Sequence, residues 1–308
     1  MSKLSIIIPA ATAEKTIDRC LRSITENNKV DAEIIIVVNN SVDNTLGKCR
    51  DWQKDYSNLI VIESDARNVS QARNEGLKVA LGDVIGFCDA DDYYESSVLD
   101  DLLDKMADAD VLVFGFNRVM EDGRVISEHQ LSGGVRSVNK MRCDLINNPN
   151  MMGSVWNKLY RKKLLQGVFF DEKITHCEDM DFNLRALKRE DVNVMYTDLT
   201  GYNYVHSASS ATNAVNSVFD ENDKLRYLYS MEKIQKEYAG DRRIQKEIGF
   251  KIATLCIDNY SDELDLSRKQ GLTLNIKNNI KYLWAYLYKY EPRENYNRLK
   301  KALGIIKK

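Results

Sequence analysis

The sequence predicts an α/β protein: a mainly parallel central sheet, helices on both of its faces, and a helical C-terminal region. Three observations predict it. Short β-branched runs alternate with stretches of helical spacing through residues 1–115. The runs are apolar throughout rather than alternating, as in strands covered on both faces. Residues 216–308 then hold one proline and no strand-like run, and their apolar residues recur at helical spacing.

Leu4–Ile8 is the first strand, its apolar run too short for a secretory leader. Ile17, Cys20, Leu21 and Ile24 lie on one face of a helix. Glu33–Val38 is the second strand; Leu46, Cys49, Trp52 and Tyr56 follow at helical spacing; Leu59–Ile62 is the third strand. Ala72–Leu81 is helical, Gly82 is placed to end it, and Asp83–Cys88 is the fourth strand. Val111–Phe116 is a fifth. Ligands bind such sheets beyond the carboxyl ends of the strands, near a switch in strand order. The segments after Ile8, Val38 and Cys88 are therefore expected to converge on one crevice. Residues 117–215 are less regular, with Gly123, Gly133 and Gly134 suggesting a hairpin or loop excursion and Glu178-Asp179 opening a helix over Met180–Leu187. Farther on, Ile280, Leu283, Trp284, Leu287 and Tyr288 share a helical face, as do Tyr296, Leu299, Leu303 and Ile306 after Pro292. The expected division is a domain over 1–215 and a helical region over 216–308.

Composition narrows the function. The 308 residues carry a net charge of −2, which argues against a dedicated nucleic-acid binder. No apolar run approaches the ~18 residues of a membrane span. The six cysteines form no C-x-x-C pair and read as buried or inert thiols of a reducing, cytoplasmic compartment. Three histidines (129, 176 and 206) make an imidazole-rich metal site a poor expectation.

The fourth strand runs directly into Asp89-Ala90-Asp91-Asp92. Carboxylates so crowded need a cation, a basic partner or full solvation. A hard divalent ion such as Mg²⁺ or Mn²⁺, sharing its shell with phosphate oxygens, is one economical solution; an Asp-rich turn leading into the next helix at Ser96 or Ser97 is the other.

The surrounding residues discriminate. Ala72, Arg73, Asn74, Gly76, Ala80, Gly82, Phe87, Asp89, Asp91 and Asp92 stand at the spacing A-R-N-x-G-x-x-x-A-x-G…F-x-D-x-D-D. This stretch resembles family 2 glycosyltransferases, nucleotide-sugar-dependent enzymes of the GT-A fold. Ser5–Pro9 with Glu14 and Cys20–Ile24, Glu33–Val38 with Ser41 and Asp43–Thr45, and Trp156–Arg161 are similar to further family segments. So are Phe170–Glu172, Glu178–Phe182, and Tyr202–Tyr204 with Ser210 and Thr212. The resemblance covers about 1–212.

It implies a metal-dependent, inverting transferase that moves a sugar from a nucleotide-diphosphate sugar, a UDP-sugar first, to a saccharide or lipid-linked saccharide in cell-surface polysaccharide synthesis. Pro9, Ala11, Glu14, Asn39, Ser41, Arg73, Asp89, Ala90 and Asp91 would line the donor site. Asp91 would bind Mn²⁺ or Mg²⁺, with Asp89 on the ribose or in the ion's shell. His206 would be a further ligand or a structural residue. Arg73 would sit near the phosphates, or form a buried ion pair with Asp89 or Asp92. Asp179 would be the general base, a carboxylate also favoured by its place at a helix N-terminus. Glu178 and Asp181 would orient the acceptor, Trp156 would stack on sugar or pack in the core, and Lys158 would reach donor phosphate or acceptor.

Departures surround the nucleoside pocket. Ala11 and Thr12 stand where the family usually has Tyr-Asn, Val38-Asn39 where it has Asp-Asp, and Arg67-Asn68 where it has Gly-Gly. They weaken the uridine expectation more than the transferase expectation. Readings from other classes are a non-catalytic nucleotide-sugar-binding or assembly subunit and a nucleotidyltransferase. The latter would want a Gly/Arg/Lys-rich loop after the first strand, and Pro9–Ala13 is not one. Residues 277–308 carry nine Lys/Arg against two acids, with Trp284 and five tyrosines. Such a stretch suits an anionic membrane surface on the inner face of the plasma membrane, packing on the first domain, or a homodimer contact.

Overall fold

The computed structural model describes residues 3–26, 29, 30, 32–148, 153–206, 221–258 and 279, with the backbone alone for 221–225 and 254–258. The chain divides into two compact units, 1–219 and 220–308.

The first unit is built on one ten-stranded sheet, β1 (Leu4–Ala10), β2 (Glu33–Asn39), β3 (Leu59–Ser64), β4 (Val84–Phe87), β5 (Tyr93–Tyr94), β6 (Val111–Met120), β7 (Val125–His129), β8 (Gly134–Arg136), β9 (Lys158–Arg161) and β10 (Val194–His206). The order is β3-β2-β1-β4-β9-β6-β10-β5, with β7 on β6 and β8 on β10. The predicted parallel half is present: β1 pairs in parallel with β2 and β4, and β2 with β3. Its order switches at β1, so the carboxyl ends of β1, β2 and β4 face one crevice. β5, β7 and β8 are antiparallel to their neighbours, and within the middle of the sheet β9 is antiparallel to both β4 and β6. Its polarity brings the entry to β9, rather than its exit, to the edge where β4 and β6 exit.

The helices are α1 (Ile17–Thr25), α2 (Thr45–Asp55), α3 (Val69–Val79), α4 (Val98–Lys105), α5 (Val138–Asn147) and α6 (Glu178–Ala186). α1 buries Ile17, Cys20, Leu21 and Ile24, the predicted face. α3 starts three residues before the predicted Ala72 because Asn68 caps it, accepting from the Gln71 N–H at 2.9 Å. It ends at Val79, and Gly82 serves another purpose than the one read from sequence. A Cβ on Gly82 would lie 2.6 Å from Ser5 Oγ and 2.7 Å from the Lys3 carbonyl, so glycine lets this turn press on β1. There Ser5 Oγ accepts from the Gly82 N–H, and the buried Glu33 carboxylate accepts from Ser5 and from the Leu81 N–H. The network ties β1, β2 and the α3–β4 turn together at the edge away from the crevice.

The predicted hairpin lies between β6 and β7, with Gly123 at φ +85°. Cys20, Cys49 and Cys88 are buried, and burial pushes the Cys49 thiol up to about 12, which fits inert thiols.

In the second unit α7 (Glu221–Glu237) packs on α8 (Arg242–Asp258) across a short turn. Asp241 caps α8 through the Ile244 N–H at 3.0 Å. Ile280–Tyr288 and Tyr296–Ile306 lie outside the described residues. Among the described residues, no helix is long and apolar enough to cross a membrane.

Candidate active site

The Asp89–Asp92 loop leaves β4 and is tied down by β10. Asp92 is buried and accepts from the Val205 N–H at 2.7 Å and the Tyr202 hydroxyl at 3.0 Å. The same hydroxyl accepts from the Asp89 N–H at 3.0 Å. Burial, then the charges of Asp91 and Asp89, push the Asp92 carboxyl well above its ordinary range. Asp92 is thus an anchor, and it leaves Asp89 and Asp91 to face outward. Arg19 of α1 steadies the loop from the other side, donating to the Asp91 carbonyl at 2.8 Å while lying over the Tyr93 ring.

Arg73 is the centre of the site. It is 4% exposed, on the buried face of α3. One guanidinium nitrogen donates to Asp89 Oδ1 at 2.9 Å, the other to Asp179 Oδ1 at 2.7 Å, and Glu178 Oε1 lies at 3.9 Å. Phe170 lies 5.4 Å from the guanidinium. Burial opposes the Arg73 charge, but Asp179, Asp89 and Glu178 outweigh it and hold the group protonated. One buried cation therefore joins the loop after β4 to the start of α6. Of the ion pairs read for Arg73 from sequence, the structure contains the one with Asp89 and not the one with Asp92, and adds Asp179.

Asp179 sits in the first turn of α6. Its Oδ2 accepts from the Val155 N–H at 3.2 Å. Burial raises its pKa, against the opposing charge of Arg73. Burial and then Asp179 push Glu178 up to about 7. The Val155 amide is presented by the turn entering β9. Asn183, one turn along α6, holds this turn by donating to the Gly153 carbonyl and to Asp179 O at 2.9 Å, and accepts from the Tyr160 hydroxyl at 2.6 Å. Gly153 has φ +72°, and a Cβ there would lie 2.4 Å from Met180 Cβ.

Asp91 is exposed, and among the described residues no ion pair reaches its carboxylate. Loss of hydration at the carboxyl, then the Asp89 charge, push it up to about 6. A carboxylate so placed fits a hard cation that fills the rest of its shell with phosphate and water. Among the described residues no three Asp, Glu, His or Cys side chains form a cage for an ion. His206 ends β10.

The sequence model of Glycosyl transferase family 2 matches residues 5–169. The chain belongs to glycosyltransferase family 2. EpsJ of Bacillus subtilis, an uncharacterized glycosyltransferase, is 32% identical over 216 residues, 68% of this chain and 62% of EpsJ. The poly(ribitol-phosphate) β-N-acetylglucosaminyltransferase TarS of Staphylococcus aureus is 28% identical over 194 residues, 60% of this chain and 32% of TarS. This family 2 chain thus spans less than two thirds of the length of either relative. The structure of TarS 1–349 with UDP-GlcNAc superposes with TM-score 0.59 at 20% identity, covering 98% of this chain and 80% of that one. The mannosyltransferase PcManGT of Pyrobaculum calidifontis, solved with GDP-Man and Mn²⁺, gives 0.57 at 12%, covering 99% and 81%. The fold is the expected GT-A fold.

The remaining residues singled out in this family 2 sequence fall into two groups. Pro9, Ala11 and Glu14 follow or end β1, and Asn39 and Ser41 end or follow β2, so they share the crevice edge with Asp89–Asp91. Asp43 joins the two loops, accepting from the Glu14 N–H at 3.1 Å and the Ser41 hydroxyl at 2.8 Å. Loss of hydration opposes its charge, but these bonds and those from Thr45 hold it down to about 2. Ala90 is buried.

The other group packs inward, which for Trp156 is the core alternative and for Lys158 and Asp181 departs from the expected reach to phosphate or acceptor. Trp156 stacks on Tyr202 (4.8 Å) and Tyr204 (5.6 Å) and meets Phe116 edge-on, so its ring faces are taken by protein. Lys158 is 0% exposed, and its ammonium is directed to the Ser154 carbonyl and to Asn157 Oδ1 at 2.7 Å, not to the crevice. Asp181 is buried against Arg185 of the next turn, at 2.9 Å from Nε. Asn183 and the Val155 amide are contributors the sequence reading missed, and Tyr202, named there within a family segment, was given no role in the site. Asn183 stands four residues after Asp179, on the same helical face, which was a usable signal.

Proposed function

We propose that this chain transfers a sugar from a nucleotide-diphosphate sugar to a saccharide or lipid-linked acceptor, with inversion at the anomeric carbon and Asp179 as general base. The observation that carries this reading is Arg73 bonded to both Asp89 and Asp179. It sets a half-buried carboxylate beside the acidic loop at the carboxyl end of β4. A carboxylate oxygen that accepts one hydrogen bond keeps a lone pair, so Asp179 can still take a proton from an acceptor hydroxyl. The freed alkoxide attacks the anomeric carbon from the face opposite the diphosphate, and the bond to the leaving phosphate oxygen breaks.

Asp91, with Asp89, would hold Mg²⁺ or Mn²⁺ at the diphosphate. A bound ion would stabilise negative charge on the leaving group. TarS solved with UDP-GlcNAc and PcManGT solved with GDP-Man and Mn²⁺ support a nucleotide-sugar donor and a divalent ion. A UDP-sugar remains the first expectation, with the buried amide of Asn39 in the place of a carboxylate. Polysaccharide assembly at the inner membrane surface, with residues 277–308 on anionic lipid, completes the proposal.

The test is donor turnover with Mn²⁺ across UDP-GlcNAc, UDP-glucose and GDP-mannose, in wild type and Asp179→Asn. The expectation is turnover of one donor by wild type and a loss of about 10²–10⁴-fold in kcat in the variant, with donor binding kept. Undiminished transfer by Asp179→Asn removes it as base. Donor binding with no turnover by either protein favours a non-catalytic binding subunit.

A further inference from the structure

We propose that Lys158 is a positioning residue for Asp179: it fixes the turn that presents the Val155 amide and sets a second buried positive charge beside the carboxylate. This rests on the reading of Asp179 as base. The first observation is burial without an ion pair. Lys158 is 0% exposed, and among the described residues no carboxylate lies within ion-pair distance of it. A buried ammonium held only by neutral acceptors is costly: burial pushes Lys158 down to about 7, so its full charge is present only below that pH, and an apolar side chain of similar volume would stabilise the fold better. The fold alone gives no reason for the charge.

The second is what the ammonium holds. It donates to the Ser154 carbonyl and to Asn157 Oδ1 at 2.7 Å. Ser154 Oγ donates to the same Asn157 oxygen at 2.9 Å, and the Lys158 N–H donates to the Val155 carbonyl at 3.3 Å. Lys158 thus closes the 154–158 turn on itself. The Val155 N–H is the atom of that turn directed at Asp179 Oδ2, at 3.2 Å.

The third is the company Asp179 keeps. Arg73 faces it from α3, Asp89 from the loop after β4, Glu178 from its own helix, and Lys158 and Tyr160 from β9. Arg73 is shared with Asp89, and Glu178 lies 3.9 Å from it. Lys158 has no such competitor.

The experiment compares wild type, Lys158→Met, Asn157→Ala and Asp179→Asn. Turnover is read with the best donor of the panel above. The Asp179 carboxyl is titrated by ¹³C NMR, which needs no donor, its resonance assigned by its absence in Asp179→Asn. In Lys158→Met, kcat is expected to fall about 10–100-fold while donor KM stays within about threefold. Loss of a nearby cation disfavours the charged carboxylate, so the Asp179 midpoint moves to higher pH. Asn157→Ala keeps the charge but loosens its seat, and is expected to lower kcat about 3–10-fold with the midpoint nearly unmoved. An unmoved midpoint and full kcat in Lys158→Met overturn the proposal, even if its melting temperature falls. Should Lys158→Met not fold, full kcat in Asn157→Ala overturns it. Full turnover by Asp179→Asn instead removes the base reading and leaves the geometry of the turn to be explained otherwise.

Discussion

Arg73 compensates one carboxylate near it in the sequence and one far from it. Asp89 lies 16 residues away and Asp179 lies 106. Removing it in Arg73→Met leaves buried like charges without a cation, a loss of about 3–5 kcal/mol of stability. Chemical denaturation reads that loss, and a change below about 1 kcal/mol would mean the carboxylates relax into water. Arg73→Lys is expected to rescue little, because the donors of an ammonium radiate from one nitrogen and cannot span two carboxylates as the two guanidinium nitrogens do. The pair at the start of α6 sets the pH response. Burial raises the pKa of Asp179, and Glu178 is pushed up to about 7, so the acid limb of kcat lies above the ordinary carboxylate range. Glu178→Gln removes the like charge and moves that limb to lower pH, read from kcat profiles between about pH 5 and 9. The acidic loop and the Glu178-Asp179 pair were legible as short motifs. Their shared guanidinium was not, since pairing across 106 residues leaves no local trace. Nor was the burial of Lys158, although Trp156, Leu159 and Tyr160 around it marked an apolar setting.

At the scale of elements, strands covered on both faces announce themselves. Ile6–Ile8, Ile34–Val38 and Val84–Phe87 are apolar runs because helices cover both sides of them. The strands missed in residues 117–215 carry weaker patterns. β9 is four residues long, and β10 shifts register between Tyr196 and Tyr202, which breaks its periodicity. The turn before β9 depends on one backbone conformation. Gly153→Ala would impose a left-handed strain and a collision with Met180, displacing the start of α6. The expected cost is about 1–3 kcal/mol in unfolding, with a kcat loss larger than the change in donor KM. A variant of wild-type stability and kcat would show that the turn can move aside.

At the scale of the molecule, the net charge of −2 averages unlike regions. Three acids stand within residues 89–92, and nine basic residues within 277–308. The proposed membrane role predicts that the full chain co-sediments with anionic vesicles and that a chain lacking residues 276–308 stays in the supernatant. Equal recovery of both in the supernatant removes it.

The reversed direction of β9 has a consequence for how such a protein can diversify. The crevice edge contributed by β1, β2 and β4 is encoded before residue 93, while the turn and helix that carry Asp179 are encoded between 153 and 186. The two halves meet through Arg73, through the Asn74 side chain on Phe170 and Glu172, and across the β4–β9 pairing. A change in either segment therefore has to preserve the seat of Asn74 and the β4–β9 register as well as Arg73 and its two carboxylates.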